Sequence, residues 1–392
     1  MNVENPVRIL HVLPSLQQSY GGPTRAVLDL SARAEAFGLH SEVIGFGDLD
    51  MPDNPLSPEL IHSLPVQIPK RYCYSHGFRG WLRQNLGRFD GVVLHGMWVY
   101  PNWAVSTECN RQGVPYACFP HGMLEPWAVY RQTWWKALKK LSYWHLREQA
   151  VFEGARCVFF TTKRERRLAQ ETFHLGGLQL LLAPYGVDCN QETTSSPTRP
   201  ELHQPSGRKV ALFLGRLHPK KNIDFLIDAW AEARPKEPWH LVIAGSGDEA
   251  YVDRLRSAVS SAGLEQQVHF VGFVTGNDKR YLFQRASWFL LPSSQENFGI
   301  SVLEAITNSC PVVISDQVFL ADDLHEKSEV LPLKRAAWVK FMKERMPDEL
   351  WAKQLVRLDQ ELVLPKLSIE NVSREWAIKM SDSFVSRGVS PQ

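Results

Sequence analysis

The chain has 392 residues, a length at which a single hydrophobic core stops growing, so two domains are expected. Its composition, 44% hydrophobic and 22% charged, is that of a soluble globular protein and excludes disordered and fibrous classes. A net charge of +2 gives no basic surplus of the kind a nucleic-acid partner calls for. The six cysteines (Cys73, Cys109, Cys118, Cys157, Cys189, Cys310) form no Cys-x-x-Cys pair and no His/Cys cluster, which argues against structural zinc and for a reducing compartment. The start, MNVENPVRILHVLPS, lacks a basic n-region and a long apolar stretch, and no run of 18 apolar residues follows. A cytoplasmic chain with neither signal peptide nor transmembrane span is therefore expected.

In chain order, strands are predicted over 8–14, 41–46, 91–95, 115–119, 157–162 and 178–183, with helical stretches over 23–37, 100–112 and 163–172 between them. This alternation implies parallel βαβ units. Residues 190–208, NQETTSSPTRPELHQPSGR, are rich in Ser, Thr and Pro and read as a linker. The alternation then restarts, with strands over 209–214, 240–244, 268–273, 288–291 and 311–315 and helices beginning at Lys221, Asp248, Asp278 and Asn297. Near the end, Ile369, Val372, Trp376, Met380 and Phe384 recur at helical spacing. The expected layout is an α/β domain over 1–189, the linker, a second α/β domain over 209–365, and a helix over 366–392 packing back on the first domain. Both domains are expected to be doubly wound and to face a cleft, with ligands beyond the carboxyl ends of the strands.

The second half carries the sharper pattern. The strand VALFLG ends in Gly215, and RLHPKKN follows, so Arg216 stands at the strand's end and Lys221 at the first turn of the next helix. A fork-shaped and a point cation beside a helix start suit a diphosphate. The next such turn, AGSGDEA, holds Gly245 and Gly247, which either admit a ligand closely or simply make a tight turn. It is not the full dinucleotide pattern. In QENFGISVLEA, Glu296 belongs to the loop after a strand and Glu304 to the following helix, about two turns in. They then hold different parts of a long ligand, with the helix-start amides of Asn297, Phe298, Gly299 and Ile300 between them. Carboxylates accept from sugar hydroxyls, so a ligand with hydroxyls at both ends and a diphosphate near the middle fits: a nucleotide sugar.

LGRLHPKKN followed by ENFGISVLE resembles the retaining GT-B glycosyltransferases of family GT4, whose E-x7-E signature Glu296 and Glu304 meet. HVLPSLQQSYGGPTRAVLDLSARAEAFG resembles their glycine loop and first helix, and PHGMLEPWA a segment of bacterial polysaccharide-building members. The resemblance, over roughly residues 7–320, implies two Rossmann-like domains and a metal-independent hexosyltransferase without a cofactor. It implies Arg216 and Lys221 on the donor diphosphate, Glu304 on the ribose hydroxyls and Glu296 at the transferred sugar. Gly21 and Gly22 let the amino-terminal loop approach the phosphates, His121 lies beside the donor sugar, and Phe273 and Val274 pack near the base. The donor is then UDP- or GDP-linked, and the acceptor a glycan or lipid-linked saccharide of exopolysaccharide, O-antigen or similar cell-surface glycan synthesis. The chain departs from the family at Tyr185, where asparagine is usual, and at Ser309, where glycine is usual. Two competing readings are a non-catalytic sugar-nucleotide-binding subunit and a GT-B sugar-nucleotide epimerase.

LHGMW and PHGML place His95 and His121 at strand ends. His121 reads as functional, while His95 reads equally as structural or as part of the acceptor-side wall. Trp98, with Trp103 and Trp127, stacks either on sugar rings or in the core. The Asp-x-Asp of GDLD, residues 47–50, follows the second strand away from the phosphate residues and reads as loop, so no metal is expected. In WWKALKKLSYWHLRE, residues 134–148, Trp134, Ala137, Leu138, Leu141 and Trp144 share a face opposite Lys136, Lys140 and Arg147. That is equally an interfacial anchor at the cytoplasmic face of the inner membrane and an ordinary surface helix.

Overall fold

The run Gly91–His95 is buried at every residue, which a strand tolerates only inside a parallel sheet covered on both faces. Such runs recur, and in a computed structural model they assemble into two parallel sheets. The structure describes all residues except 1–5, 18–21, 51–53, 68–71, 131–133, 191–192, 195, 203–206, 237, 325–327 and 386–392. The chain divides into unit 1, residues 1–186 with 369–392, and unit 2, residues 187–368.

Unit 1 contains β1 (Val7–Leu13), β2 (Leu39–Phe46), β3 (Ile61–Leu64), β4 (Gly91–His95), β5 (Tyr116–Phe119), β6 (Cys157–Phe160) and β7 (Leu180–Leu182). Their order in the sheet is β3-β2-β1-β4-β5-β6-β7, every pairing parallel. Its helices are α1 (Gly22–Ala34), α2 (Phe78–Asn85), α3 (Tyr100–Gln112), α4 (Pro126–Tyr130), α5 (Trp134–Tyr143), α6 (Gln149–Glu153) and α7 (Lys163–Thr172). Because β1 lies between β2 and β4, the chain reverses its direction of winding there, and loops at the carboxyl ends of β1 and β4 splay apart.

Unit 2 repeats the plan with β8 (Lys209–Leu214), β9 (Trp239–Ala244), β10 (Val268–Gly272), β11 (Ala286–Leu291), β12 (Val312–Ser315) and β13 (Glu329–Leu331), in the order β10-β9-β8-β11-β12-β13, again all parallel. Its helices are α8 (Ile223–Ala233), α9 (Glu249–Ser261), α10 (Gly276–Arg285), α11 (Ile300–Thr307), α12 (Arg335–Glu344), α13 (Glu349–Leu362) and α14 (Leu364–Leu367). The winding reverses at β8 and β11, so the loops after these two strands flank the switch point.

The last helix, α15 (Ile369–Phe384), belongs to unit 1, where Val372, Trp376, Met380 and Phe384 are buried. A Cβ added at Gly91 would meet the Phe384 ring at 2.4 Å, so the glycine at the foot of β4 is what admits that ring. No helix among the described residues is long and apolar enough to cross a membrane.

Candidate functional site

At the switch point of unit 2 the chain leaves β8 through an exposed Arg216 and a short 3-10 turn, Pro219–Lys221. Asn222, at φ 59°, caps α8, which starts at Ile223. Lys221 therefore lies in the turn before the helix rather than in its first turn, because asparagine takes the left-handed cap conformation that breaks the helical run. From the other side of the switch point, the loop after β11 brings Glu296. The Glu296 amide donates to the Gln317 carbonyl at 3.2 Å, and the Glu296 carbonyl accepts from Phe319 at 3.0 Å. The loop is tied to the β8 turn as well, since the Ser294 amide donates to the Lys220 carbonyl at 2.8 Å. With backbone held on three sides, the Glu296 carboxylate accepts from Lys221 Nζ in an ion pair whose side chains are 16% and 12% exposed. Burial first, then the charges of Lys220 and Arg216, push Lys221 down to about 7. The contact with Glu296 acts in the opposite sense.

The helix after this loop begins at Ile300, three residues later than the predicted Asn297. Gly299 takes φ 83° as its cap, so the helix-start amides lie at and beyond Ile300, while Asn297 and Phe298 are loop residues and Phe298 is buried. Glu304 is thus the fifth residue of α11, little more than one turn in. Its carboxylate also has a lysine: Lys279 Nζ, from α10, donates to Glu304 Oε1 at 2.6 Å. Both glutamates of the E-x7-E run hold a cation of their own unit, on opposite sides of the α11 start. Spacing in the sequence gave no sign of Lys279, because it comes from a different helix.

Gly245 and Gly247 serve the protein's own backbone. A Cβ at Gly245 would meet the Gly215 carbonyl oxygen at 1.9 Å, and one at Gly247 the Leu217 carbonyl oxygen at 2.0 Å. Their bare backbones let the loops after β8 and β9 pair, with Leu217 donating to the Ser246 carbonyl at 2.8 Å. Phe273 is half exposed just after β10, whereas Val274 is buried. Arg199 fastens this segment by donating to the Val271 carbonyl at 2.7 Å. Gly22 is exposed at the start of α1, and Gly21 lies outside the described residues.

In unit 1, His95 ends β4 and is 1% exposed, so it lies in the interior rather than on a wall. It shares hydrogen bonds with two other imidazoles: His95 Nε2 with His11 Nδ1 at 3.0 Å, and His95 Nδ1 with His121 Nε2 at 2.9 Å. His121 Nδ1 is hydrogen-bonded in turn to the Tyr185 hydroxyl. Burial keeps all three imidazoles neutral, pushing His11 and His121 down to about 3 and His95 well below its usual value. His121 sits at φ 52°, and the turn behind it is fixed by Glu165, which accepts from Gly122 at 2.6 Å and from Thr161 at 2.7 Å. His11 and Tyr185 are additions to the expected set. A polar ring in the middle of the apolar strand RILHVLP was the signal for His11, and the departure at PYGVD was the signal for Tyr185. Trp98 is wedged among Tyr143, Trp144 and Phe173, with its amide donating to Glu148 at 2.6 Å.

The stretch 134–148 is not one continuous α-helix: α5 ends at Tyr143, and a π turn, Trp144–Glu148, follows. Trp144 is buried, and Lys140 turns inward, its Nζ donating to the Ala128 carbonyl at 2.6 Å and lying 5.8 Å from the Trp98 ring. Within the π turn Leu146, two positions on from the buried Trp144, faces solvent at 77% exposed. Trp134 and Trp135, each 64% exposed, stack on one another at 3.6 Å, with Tyr130 and Leu138 also exposed. The expected apolar face is thus divided: Trp134 and Leu138 at its start are exposed, next to Lys136 and Lys139, while Leu141 packs on the core and Trp144 is buried.

A family model described as "Glycosyl transferases group 1" matches residues 195–330, and one described as "Glycosyl transferase 4-like domain" matches residues 21–186. The mannosylfructose-phosphate synthase of Agrobacterium fabrum is 31% identical over 178 residues, 43% of this chain and 39% of that protein. The GDP-mannose:cellobiosyl-diphosphopolyprenol alpha-mannosyltransferase of Xanthomonas oryzae pv. oryzae is 24% identical over 319 residues, 79% of each chain. The matched region spans less than half the length of several curated relatives. Among solved structures, Anabaena HepE in complex with UDP and glucose is similar with a TM-score of 0.76 at 16% identity, over 96% of this chain and 100% of its own. Sucrose-phosphate synthase from Thermosynechococcus elongatus reaches a TM-score of 0.77 at 18% identity, over 97% and 100%.

The depressed Lys221 has a measurable consequence. Burial holds it down to about 7 while the Glu296 carboxylate favours the charged form, so it loses its proton as pH rises from neutral to alkaline, and an anion binds the cationic form. Affinity for a diphosphate diester such as UDP-glucose, which does not itself titrate near neutrality, is expected to fall as pH rises past 7, by up to about tenfold per unit. Lys221→Arg should flatten the profile, because a guanidinium stays charged. Calorimetric titration across this range checks it, and a flat wild-type profile contradicts it.

Proposed function

The chain belongs to the group 1 glycosyltransferases of the GT4 type, with a GT-B fold, and from that premise we propose that it moves a hexose-type sugar from a UDP- or GDP-linked donor with retained configuration. The acceptor in this reading is a glycan or lipid-linked saccharide of bacterial cell-surface glycan synthesis, in line with what the Xanthomonas relative's name says of that protein. One observation carries the proposal: Arg216, Lys221, Glu296 and Glu304 all stand on loops and helix starts around the β8/β11 switch point of unit 2.

In the proposed mechanism the diphosphate draws Lys221 away from Glu296, exchanging one anionic partner for another. Arg216 and Lys221 then stabilise the leaving diphosphate, the role a metal fills in other transferases, so the reaction is metal-independent. Glu296, released from its lysine, accepts from hydroxyls of the transferred sugar, and Glu304 from those of the ribose. Departure of the diphosphate runs ahead of attack. The acceptor hydroxyl enters on the face the diphosphate leaves, and a phosphate oxygen takes its proton, so that no separate base is needed. His121 is assigned to the transferred sugar.

A thermal-shift screen of nucleotide sugars, followed by transfer assays with the labelled donor that stabilises the chain, tests this. Lys221→Ala and Arg216→Ala are each expected to lower kcat/KM by about a hundredfold or more, and EDTA to leave transfer unchanged. Donor binding without transfer to any acceptor would favour a non-catalytic binding subunit, and conversion of the donor without acceptor would favour an epimerase.

We also propose that the exposed Tyr130, Trp134, Trp135, Leu138 and Leu146, with Lys136 and Lys139 beside them, seat the protein peripherally on an anionic membrane surface such as the cytoplasmic face of an inner membrane. Aromatic rings at headgroup depth and lysines facing acidic lipids are complementary to that surface. In flotation with phosphatidylglycerol vesicles the intact chain is expected to rise with the lipid, and a Trp134→Ser, Trp135→Ser double variant to stay behind. Failure of the intact chain to float rules the contact out.

A further inference from the structure

Unit 1 contains an unbroken hydrogen-bonded line of four rings, His11, His95, His121 and Tyr185, each drawn from a different strand or loop. A neutral imidazole has one N–H donor and one bare nitrogen acceptor, so in such a line each ring must donate in the same direction as its neighbour. The line therefore exists in only two arrangements, related by reversing every tautomer together. The choice between them is set at the inner end. His11 Nε2 is buried and has no partner among the described residues, and the ring packs 5.4 Å from Trp376 of α15. A stranded N–H costs more than a stranded lone pair, so Nε2 stays bare and Nδ1 carries the proton. It follows that His11 Nδ1–H donates to His95 Nε2, His95 Nδ1–H to His121 Nε2, and His121 Nδ1–H to the Tyr185 oxygen.

We propose that His11, His95 and Tyr185 are positioning residues that form one directional relay and hold His121 as its Nδ1–H tautomer. Both ring nitrogens of His121 are engaged in the line, and its ring stacks on Phe119 at 4.1 Å with an interplanar angle of 25°. The carboxylate of Glu165 fixes the turn behind it. The ring is thereby held in place and in charge state before any ligand arrives. With both nitrogens engaged, the His121 ring serves the transferred sugar by its fixed shape and not by a hydrogen bond of its own, and this functional half of the proposal rests on the assignment of His121 to that sugar. The tautomer half does not.

The experiment uses the intact chain labelled with 15N-histidine and correlation spectra that report which ring nitrogen carries the proton. The expected result near neutral pH is that His11, His95 and His121 are all neutral Nδ1–H. An Nε2–H or doubly protonated His121 in the wild type overturns the relay without need of any variant. Tyr185→Phe removes the acceptor at the outer end, so one N–H is stranded whichever way the line points and the bias toward Nδ1–H is lost. This variant is expected to shift His121 toward the Nε2–H form and to lower kcat about tenfold while donor KM changes less than about twofold. Tyr185→Asn, whose amide oxygen can still accept from His121 Nδ1–H, is expected to restore the Nδ1–H form of His121 and most of the lost kcat. A changed tautomer with unchanged kcat overturns the positioning role. A chain that shows the three Nδ1–H rings but transfers no sugar sinks the transferase reading and leaves the relay standing.

Discussion

Glu296 and Glu304 are each paired with a lysine of the same unit, and the loops around the β8/β11 switch point are tied so that those pairs stay together. Glu296 reaches Lys221 only because the loop after β11 is tied to the turn after β8, through Ser294 on the Lys220 carbonyl, and to the segment after β12, through Gln317 and Phe319. Glu304 reaches Lys279 only because α10 and α11 lie side by side. Without its lysine a half-buried carboxylate would stand uncompensated at a cost on the order of 2 kcal/mol. The pairs thus hold these charges compensated, and in the proposed function a ligand with a diphosphate and hydroxyls exchanges them for contacts of its own.

Unit 1 uses the same winding to a different end. Among the described residues, its switch point carries no ion pair of this kind. Instead the ends of β1 and β4 bury imidazoles that burial keeps neutral, so order comes from the direction of hydrogen bonds rather than from charge. Tyr185 joins that line at the family's usual asparagine position, so the departure is part of a network and not an isolated replacement. Ser309 is likewise accommodated: it takes φ 57° just past α11, the conformation for which glycine is usual, and its hydroxyl accepts from Gln360 at 3.2 Å.

Much of this plan is legible in the amino-acid sequence itself. The alternation of apolar runs located eleven strands to within about two residues at either end, because strands buried on both faces leave uninterrupted apolar runs. The two that escaped, β3 and β13, are short strands at the sheet margins with partly exposed residues, IHSL and EVL, and have no such run. Residues on one continuous segment were also legible, as with Arg216 and Lys221 around one turn. What depends on a second segment was not. Lys279 comes from another helix, Gly245 answers to the Gly215 carbonyl, and Lys140 turns inward because Ala128 and Trp98 lie beneath it. The π turn at Trp144–Glu148 has no periodic signature, and so the end of α5 at Tyr143 was not legible either.

The central claim is that Glu296 and Glu304 hold different ends of one ligand. Calorimetry of Glu296→Ala and Glu304→Ala with a nucleoside diphosphate and with its nucleotide sugar tests this most directly. Glu304→Ala should weaken both ligands by about tenfold, whereas Glu296→Ala should weaken only the nucleotide sugar and leave the sugar-free nucleotide as tight or tighter, because Lys221 is freed for the diphosphate. Equal weakening of both ligands by Glu296→Ala, or no effect of Glu304→Ala on either, would contradict the account.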